Sequence, residues 1–395
     1  MPWTASPTPV GPAPNDVLAL MLGGGGARGA YQAGVLRAIA RRYPALRLPI
    51  LSGISAGAVN TTFLAAQAAP LPEATEQLVH LWLSLTPDQV YNVQALPLLT
   101  NMGRWGMRLV GGGGGDQREP TRGLLDTNPL RLFLQRAMPH DADGALPGIQ
   151  HNIRTGRLDA VALSATSYTT GQSVTWVQGR NVALWQRPSR RSELASITVE
   201  HVMASSSLPM LFPAVRVGRE WYGDGGVRLT APLSPALHLG ATRILTVATR
   251  YSRSREEADR PLTDGYPPPA QVLSVLYNAI FLDLIDEDIL RLERMNRLID
   301  ELPPSDREGM RLVEILVLRP SRDLGKLAGE FEPKLPKAFR YLTRGLGTRR
   351  TASPDILSLL MFQIDYLRAL IELGEGDVEA NKDRIDAFLG HPPSL

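Results

Sequence analysis

The sequence predicts an α/β fold in which a parallel sheet is covered by helices, followed by a mostly helical C-terminal extension. Three observations carry that expectation. Short apolar runs alternate with segments of helical period from about residue 17 to residue 250, the pattern of strands joined by crossover helices. The run ATRILTVAT is apolar enough throughout to be a strand buried on both faces. Beyond residue 250, apolar residues recur at helical spacing instead.

Taken in order, the first fifteen or so residues hold five prolines and little apolar material, so residues 1–16 read as a disordered lead. The strand VLALML follows, then the helix AYQAGVLRAIARRY, the strand-like LRLPILSGIS and the helix AGAVNTTFLAAQAA. RLDAVALSAT, GQSVTWV and ATRILTVAT add further strands, which gives a sheet domain over residues 17–250. The five glycines Gly111–Gly115 should form a surface loop, either a lid over the site or a plain linker. RYSRSREEADRPLTDGYPPP reads as an exposed connection. The segments QVLSVLYNAIFLDLIDEDILRLERMNRLIDEL and PDILSLLMFQIDYLRALIEL then make residues 251–395 a helical region resting on the sheet domain.

Composition narrows the chemistry. The chain of 395 residues has no cysteine, which removes disulfides, thiolate nucleophiles and cysteine metal sites, so covalent chemistry falls to an oxygen or an amine. A net charge of +3, from 42 basic and 39 acidic residues, is too mild to mark a nucleic-acid surface, and no nucleic acid is expected as a partner. No stretch approaches the roughly 20 apolar residues of a membrane span, and the start lacks the pattern of a signal peptide. The expectation is a cytoplasmic protein, with at most peripheral contact at a membrane.

Three motifs carry chemistry. GISAG, Gly53–Gly57, lies after an apolar strand and before a small-residue helix, the setting of a nucleophile elbow with Ser55 in the strained turn and Gly53 and Gly57 leaving room around it. Upstream, LGGGGARGAYQ ends a strand in Gly23–Gly26; amides exposed there can hold an oxyanion, and Arg28 can brace the loop or lend its charge. Gly24, Gly26 and Gly29 also satisfy GxGxxG, but the next strand ends in GISAG rather than in the acid that would hold a ribose. In WYGDGGVRL, Gly225 and Gly226 after Asp224 permit a sharp turn that presents the carboxylate at a strand end.

In this order the motifs resemble the patatin-like phospholipase family, over roughly residues 17–249; LLDTNPL, ALSATSYTTGQ and ASSSLPMLFPAV look like family segments too. The resemblance implies a three-layer α/β/α fold and a Ser-Asp dyad of Ser55 and Asp224, with no histidine between them. It places the oxyanion hole at Gly24, Gly25, Gly26, Arg28 and Gly29, and implies a lipid or acyl-ester substrate. No cofactor is expected, and acids and histidines do not cluster at metal-ligand spacing near the elbow. Two rivals remain: a Ser-His-Asp carboxylesterase using His238 or His391 as base, and a module that holds phosphate in the glycine loop without catalysis.

Overall fold

Strand β1, Leu18–Leu22, is buried at all five positions because it has a neighbour on each side. It pairs in parallel with β2, Ile50–Ile54, and with β9, Arg243–Val247, so that Leu20 lies between Leu51 and Leu245. A strand hydrogen-bonded on both edges and covered on both faces has little use for polar side chains, which is why LALML is a continuous apolar run and β9 is apolar at Ile244, Leu245 and Val247. The computed structural model describes residues 16–92, 123–281, 284–307, 309–335, 340, 343 and 347–390. The proline-rich lead up to residue 15, the glycines Gly111–Gly115 and His391 lie outside the described residues.

The helices alternate with the strands as the sequence pattern requires. They include α1 Gly29–Arg42, α2 Ala56–Ala66, α3 Leu71–Ser84, α4 Asn128–Ala137, α5 Pro147–Arg154, α6 Val199–Ser205 and α7 Ser234–His238, then α8 Pro269–Phe281, α9 Leu284–Asp300, α10 Leu324–Phe331, α11 Asp355–Leu360 and α12 Ile364–Ala380; Pro87–Val90, Arg255–Ala258 and Lys382–Gly390 are helical as well. The remaining strands are β3 Ala160–Ser167, β4 Ser173–Gly179, β5 Gln186–Arg187, β6 Arg190–Leu194, β7 Val215–Val217, β8 Glu220–Asp224 and β10 Glu314–Leu318. They join one sheet in the order β10-β9-β1-β2-β3-β4-β6-β5, with β8 paired to β3 and β7.

Two apolar cores confirm three layers. Leu18, Leu20 and Leu22 of β1 share a core with Tyr31, Leu36 and Ile39 of α1 and Leu78 of α3, while Ala19 and Met21 share the other with Ala236 of α7 and Ile285 and Ile289 of α9. Such alternation is the period-2 geometry of a strand dividing its side chains between two faces. Each fully buried leucine contributes about 1.5–3 kcal/mol.

The C-terminal region is mostly helical, as expected, but it also supplies an unanticipated strand. β10 pairs in parallel with β9, Leu316 opposite Leu245, and closes one end of the sheet. α12 lies directly on α1: a Cβ at Gly34 would overlap the Ile371 carbonyl, and one at Gly374 the Tyr31 carbonyl. The Tyr31 hydroxyl donates to Asp377 at 2.9 Å across the same contact. These glycines are small because two helix backbones touch there.

Candidate active site

Register brings the elbow and the acid together. β2 ends with Ile54 opposite Ser164 of β3, and the next residue of β3, Ala165, pairs with Asp224 at the end of antiparallel β8. One edge of β3 therefore carries the end of β2 and then the end of β8. Ser55 follows Ile54 directly, so the serine and the carboxylate meet where two strands of opposite direction run out.

Ser55 is buried, with φ 56° and ψ −124°, a backbone conformation that non-glycine residues adopt only when their surroundings enforce it. The enforcement is visible. A Cβ at Gly53 would come within 2.5 Å of the Gly57 carbonyl, and one at Gly57 would overlap the Leu22 carbonyl, so only glycines let the turn close against β1. The Ser55 amide donates to Ser205 Oγ at 3.0 Å, Ser205 Oγ donates to the Ser164 carbonyl at 2.7 Å, and Ser206 Oγ donates to the Ser55 carbonyl at 3.1 Å. The next residue completes a strap: the Ser207 carbonyl accepts from the Asp224 amide at 2.9 Å. Ser205, Ser206 and Ser207 thus hold both ends of the site. ASSSLPM was legible as a family segment, but nothing in a run of serines gives that role.

Asp224 is completely buried. Its Oδ1 accepts from the Gly226 amide at 2.9 Å, its carbonyl accepts from Thr166 Oγ1 at 2.8 Å, and a Cβ at Gly225 would overlap the Ser164 carbonyl. The Ser55 hydroxyl lies beside the carboxylate, near enough to favour its charged form, yet Oδ2 completes no hydrogen bond. Burial dominates and pushes the Asp224 pKa up to about 7, against the smaller pulls of Ser55 and the Gly226 amide. Two tyrosines not singled out in the sequence feel this charge: the Tyr168 and Tyr277 phenols are raised first by burial and then by Asp224.

The glycine loop runs past the serine. A Cβ at Gly24 would stand 3.2 Å from Ser55 Cβ and 3.7 Å from Oγ; at Gly25 it would meet Thr249 Oγ1 at 2.6 Å. Gly26, at φ 54°, leaves no space before the Leu359 carbonyl. Thr249 Oγ1 holds the loop by donating to the Gly24 carbonyl at 2.5 Å.

Two residues expected at the oxyanion are placed differently. The buried Arg28 guanidinium donates from Nε to Ser358 Oγ at 2.7 Å and from Nη1 to the Thr249 carbonyl at 3.3 Å, and pairs through Nη2 with Asp355 Oδ1 at 2.5 Å. It braces the loop rather than facing Ser55. Its amide donates to the Gly25 carbonyl at 3.0 Å, and that of Gly29 bonds back to Gly26 within the turn that starts α1, while a Cβ at Gly29 would strike Trp82. The amides of Arg28 and Gly29 are therefore engaged in the turn itself.

An apolar cavity opens on Ser55 and is lined by Leu81, Trp82, Leu134, Leu208, Phe212 and Phe362; a second hollow, against Gly24 and Gly226, includes Ile280, Leu284 and Ile285. Leu208 and Phe212 of LPMLFPAV line the first, and Ile280, Leu284 and Ile285 of VLSVLYNAIFLDLI the second. A wider hollow between Pro44 and Leu158 sits at the starting ends of β2 and β3, the wrong end of the sheet for Ser55. His238 stacks on Trp185 at 4.6 Å, and His201 meets Trp176 edge-on and Thr198 Oγ1 at 2.8 Å. Among the described residues no histidine bonds Ser55 or Asp224, and no three acids or histidines could share a metal ion.

The model of the family described as Patatin-like phospholipase matches residues 20–237, more than half of the chain. Among solved structures, the chain is similar to VipD from Legionella pneumophila at 13% identity, with 91% of this chain and 67% of that one covered and a TM-score of 0.32. It is similar to human GIVD cytosolic phospholipase A2 at 11% identity, covering 95% and 60%, with a TM-score of 0.47. For the type III effector protein ExoU the values are 14% identity, 95% and 62% covered, and 0.30. The chain thus spans 60–67% of the length of these three proteins. No curated protein matches it. With the elbow, the glycine loop and the Asp-Gly-Gly turn assembled on one sheet and the family model spanning all three, the chain belongs to the patatin-like phospholipase family of lipid-hydrolysing enzymes.

Proposed function

We propose that the protein is a serine lipid acyl hydrolase, of phospholipase A or lysophospholipase type, working through Ser55 and Asp224 without a histidine. The observation that carries this reading is the register of β3, which sets the end of β2 beside the end of β8. Ser55 Oγ attacks the acyl carbonyl carbon while its proton passes to Asp224 Oδ2, the oxygen with no completed bond. Amides of Gly24, Gly25 and Gly26 stabilise the oxyanion, aided by the N-terminus of α2. Collapse breaks the ester C–O bond, and the proton returns from Asp224 to the leaving alcohol. Water then attacks the acyl-serine by the same proton path and releases the fatty acid.

The apolar cavity beside Ser55 takes the acyl chain. Each buried methylene contributes about 0.8 kcal/mol, so chains that fill the cavity are favoured over shorter ones. Among the described residues no helix is long and apolar enough to cross a membrane, so this region meets lipid from the water side. The test is a fluorophosphonate probe applied to the purified protein, with the modified residue mapped by mass spectrometry. Labelling at Ser55 that disappears in Asp224→Asn supports the reading; labelling at another residue, or none, overturns it.

A further inference from the structure

Helix α8 turns the wrong face to water. Pro269–Phe281 carries no charged residue. Its polar groups point inward: Ser274 Oγ accepts from the Ile356 amide at 3.1 Å, the Tyr277 hydroxyl donates to the Pro209 carbonyl at 2.6 Å, and Asn278 Nδ2 donates to Asp355 at 2.8 Å. Outward, at i, i+3, i+4 and i+7, stand Val272, Val275, Leu276 and Ala279, of which the first three are 47%, 56% and 52% exposed. A helix of a water-facing surface shows the reverse arrangement. Further exposed apolar side chains stand on the Asp224 side of the site: Met210 (61% exposed), next to the Pro209 that α8 holds, and Tyr168 and Trp221, joined by a backbone bond of 2.8 Å. Exposed apolar side chains gathered beside a site in this way mark an interaction surface.

We propose that the outer face of α8, with Met210, Tyr168 and Trp221, docks on a phospholipid bilayer and seats the active site against it; this rests on the lipid hydrolase reading above. The occupant follows from position. Ile280, on the same helix, lines the hollow that also contains Gly24 and Gly226, and Tyr277 lies close enough to Asp224 to feel its charge, so the patch borders the candidate site. A protein partner there would block substrate, whereas a bilayer both covers the patch and delivers the ester. The stripe from Val272 to Ala279 runs about 10 Å along one side of the helix, and a one-sided apolar face of this kind is buried with the helix axis in the interfacial plane. Tyr168 and Trp221 have the apolar body and polar tip that suit the headgroup level.

The test uses phosphatidylcholine vesicles in a sedimentation assay with the Ser55→Ala protein, so that turnover does not consume the lipid, and the same protein carrying Val275→Asp and Leu276→Asp. Val275→Asp and Leu276→Asp are also placed in the active enzyme, with turnover of a soluble short-chain ester as the control. The expected result is vesicle binding that persists in high salt, a loss of at least tenfold in binding from the paired substitution, and soluble-ester turnover within twofold of the parent. Equal binding with and without the paired substitution overturns the proposal. So does a shift from dimer to monomer caused by the substitutions in light scattering, which would assign the face to a second copy. Vesicle binding without any ester turnover would instead overturn the hydrolase reading and leave the docking face standing.

Discussion

The two sides of the active site are encoded in different ways. On one side, Gly24, Gly53, Ser55, Gly57, Asp224 and Gly225 form short motifs because each sits where backbone touches backbone or a side chain reaches the proposed reacting centre. On the other, the site is completed by Asp355, Ser358, Leu359 and Phe362, from a segment beyond the residues that the family model matches. Those residues clamp Arg28 and line the apolar cavity. Reacting atoms tolerate few residue types and little displacement, whereas a lining needs only apolar volume and a brace needs only a partner for one guanidinium. Motifs therefore report chemistry, and the supporting wall is left to the rest of the chain.

The contrast predicts a graded series of effects. Ser55→Ala should reduce hydrolysis of a p-nitrophenyl acyl ester by about a million-fold with unchanged circular dichroism, as loss of a nucleophile typically does. Asp224→Asn should approach that loss, because an amide cannot accept the hydroxyl proton. On the supporting side, Asp355→Asn should lower kcat by about ten- to a hundred-fold with little change in KM, since the loop loses alignment while the acyl cavity persists. Asp355→Ala, which strands the buried Arg28, should also cost about 3–5 kcal/mol in urea denaturation. An Asp355→Asn enzyme of full activity would reduce the C-terminal wall to packing alone.

Smaller effects sharpen the same contrast. Leu134→Trp should shorten the cavity and move the preferred p-nitrophenyl ester to shorter chains, by about 0.8 kcal/mol for each methylene excluded, with soluble short esters little affected. Smallest of all, His238→Ala should stay within a few-fold of the parent, since this ring is stacked on Trp185 and bonds neither Ser55 nor Asp224. A loss of several orders of magnitude there, with the fold intact, would restore the Ser-His-Asp alternative.

What the sequence showed follows from the same logic. The strands β1, β2 and β9 and the elbow were legible because burial on both faces and a strained turn restrict residue choice severely. β10 was not, since EILVL is five residues long and sits within a helical stretch. Arg28 was recognised as a brace or a charge, but its direction depends on Asp355, 327 residues away, which no local pattern announces. The serines of ASSSLPM act through hydrogen bonds to the Ser55 backbone and the Ser164 carbonyl, and serine in a turn is ordinarily only a turn residue.

The raised pKa of Asp224 gives the central claim its most direct test. Burial disfavours the carboxylate, so the protonated form persists up to about pH 7 and proton acceptance is lost below it. Infrared difference titration of the parent against Asp224→Asn should show one protonated carboxyl band that vanishes with a midpoint near pH 7. Over the same range kcat/KM for a soluble ester should rise about tenfold per pH unit below that midpoint and then level off, with the same profile in His238→Ala. A carboxyl already ionised at pH 5 while activity still rises near pH 7, or a profile that disappears with His238, would contradict a catalytic pair made of Ser55 and Asp224 alone.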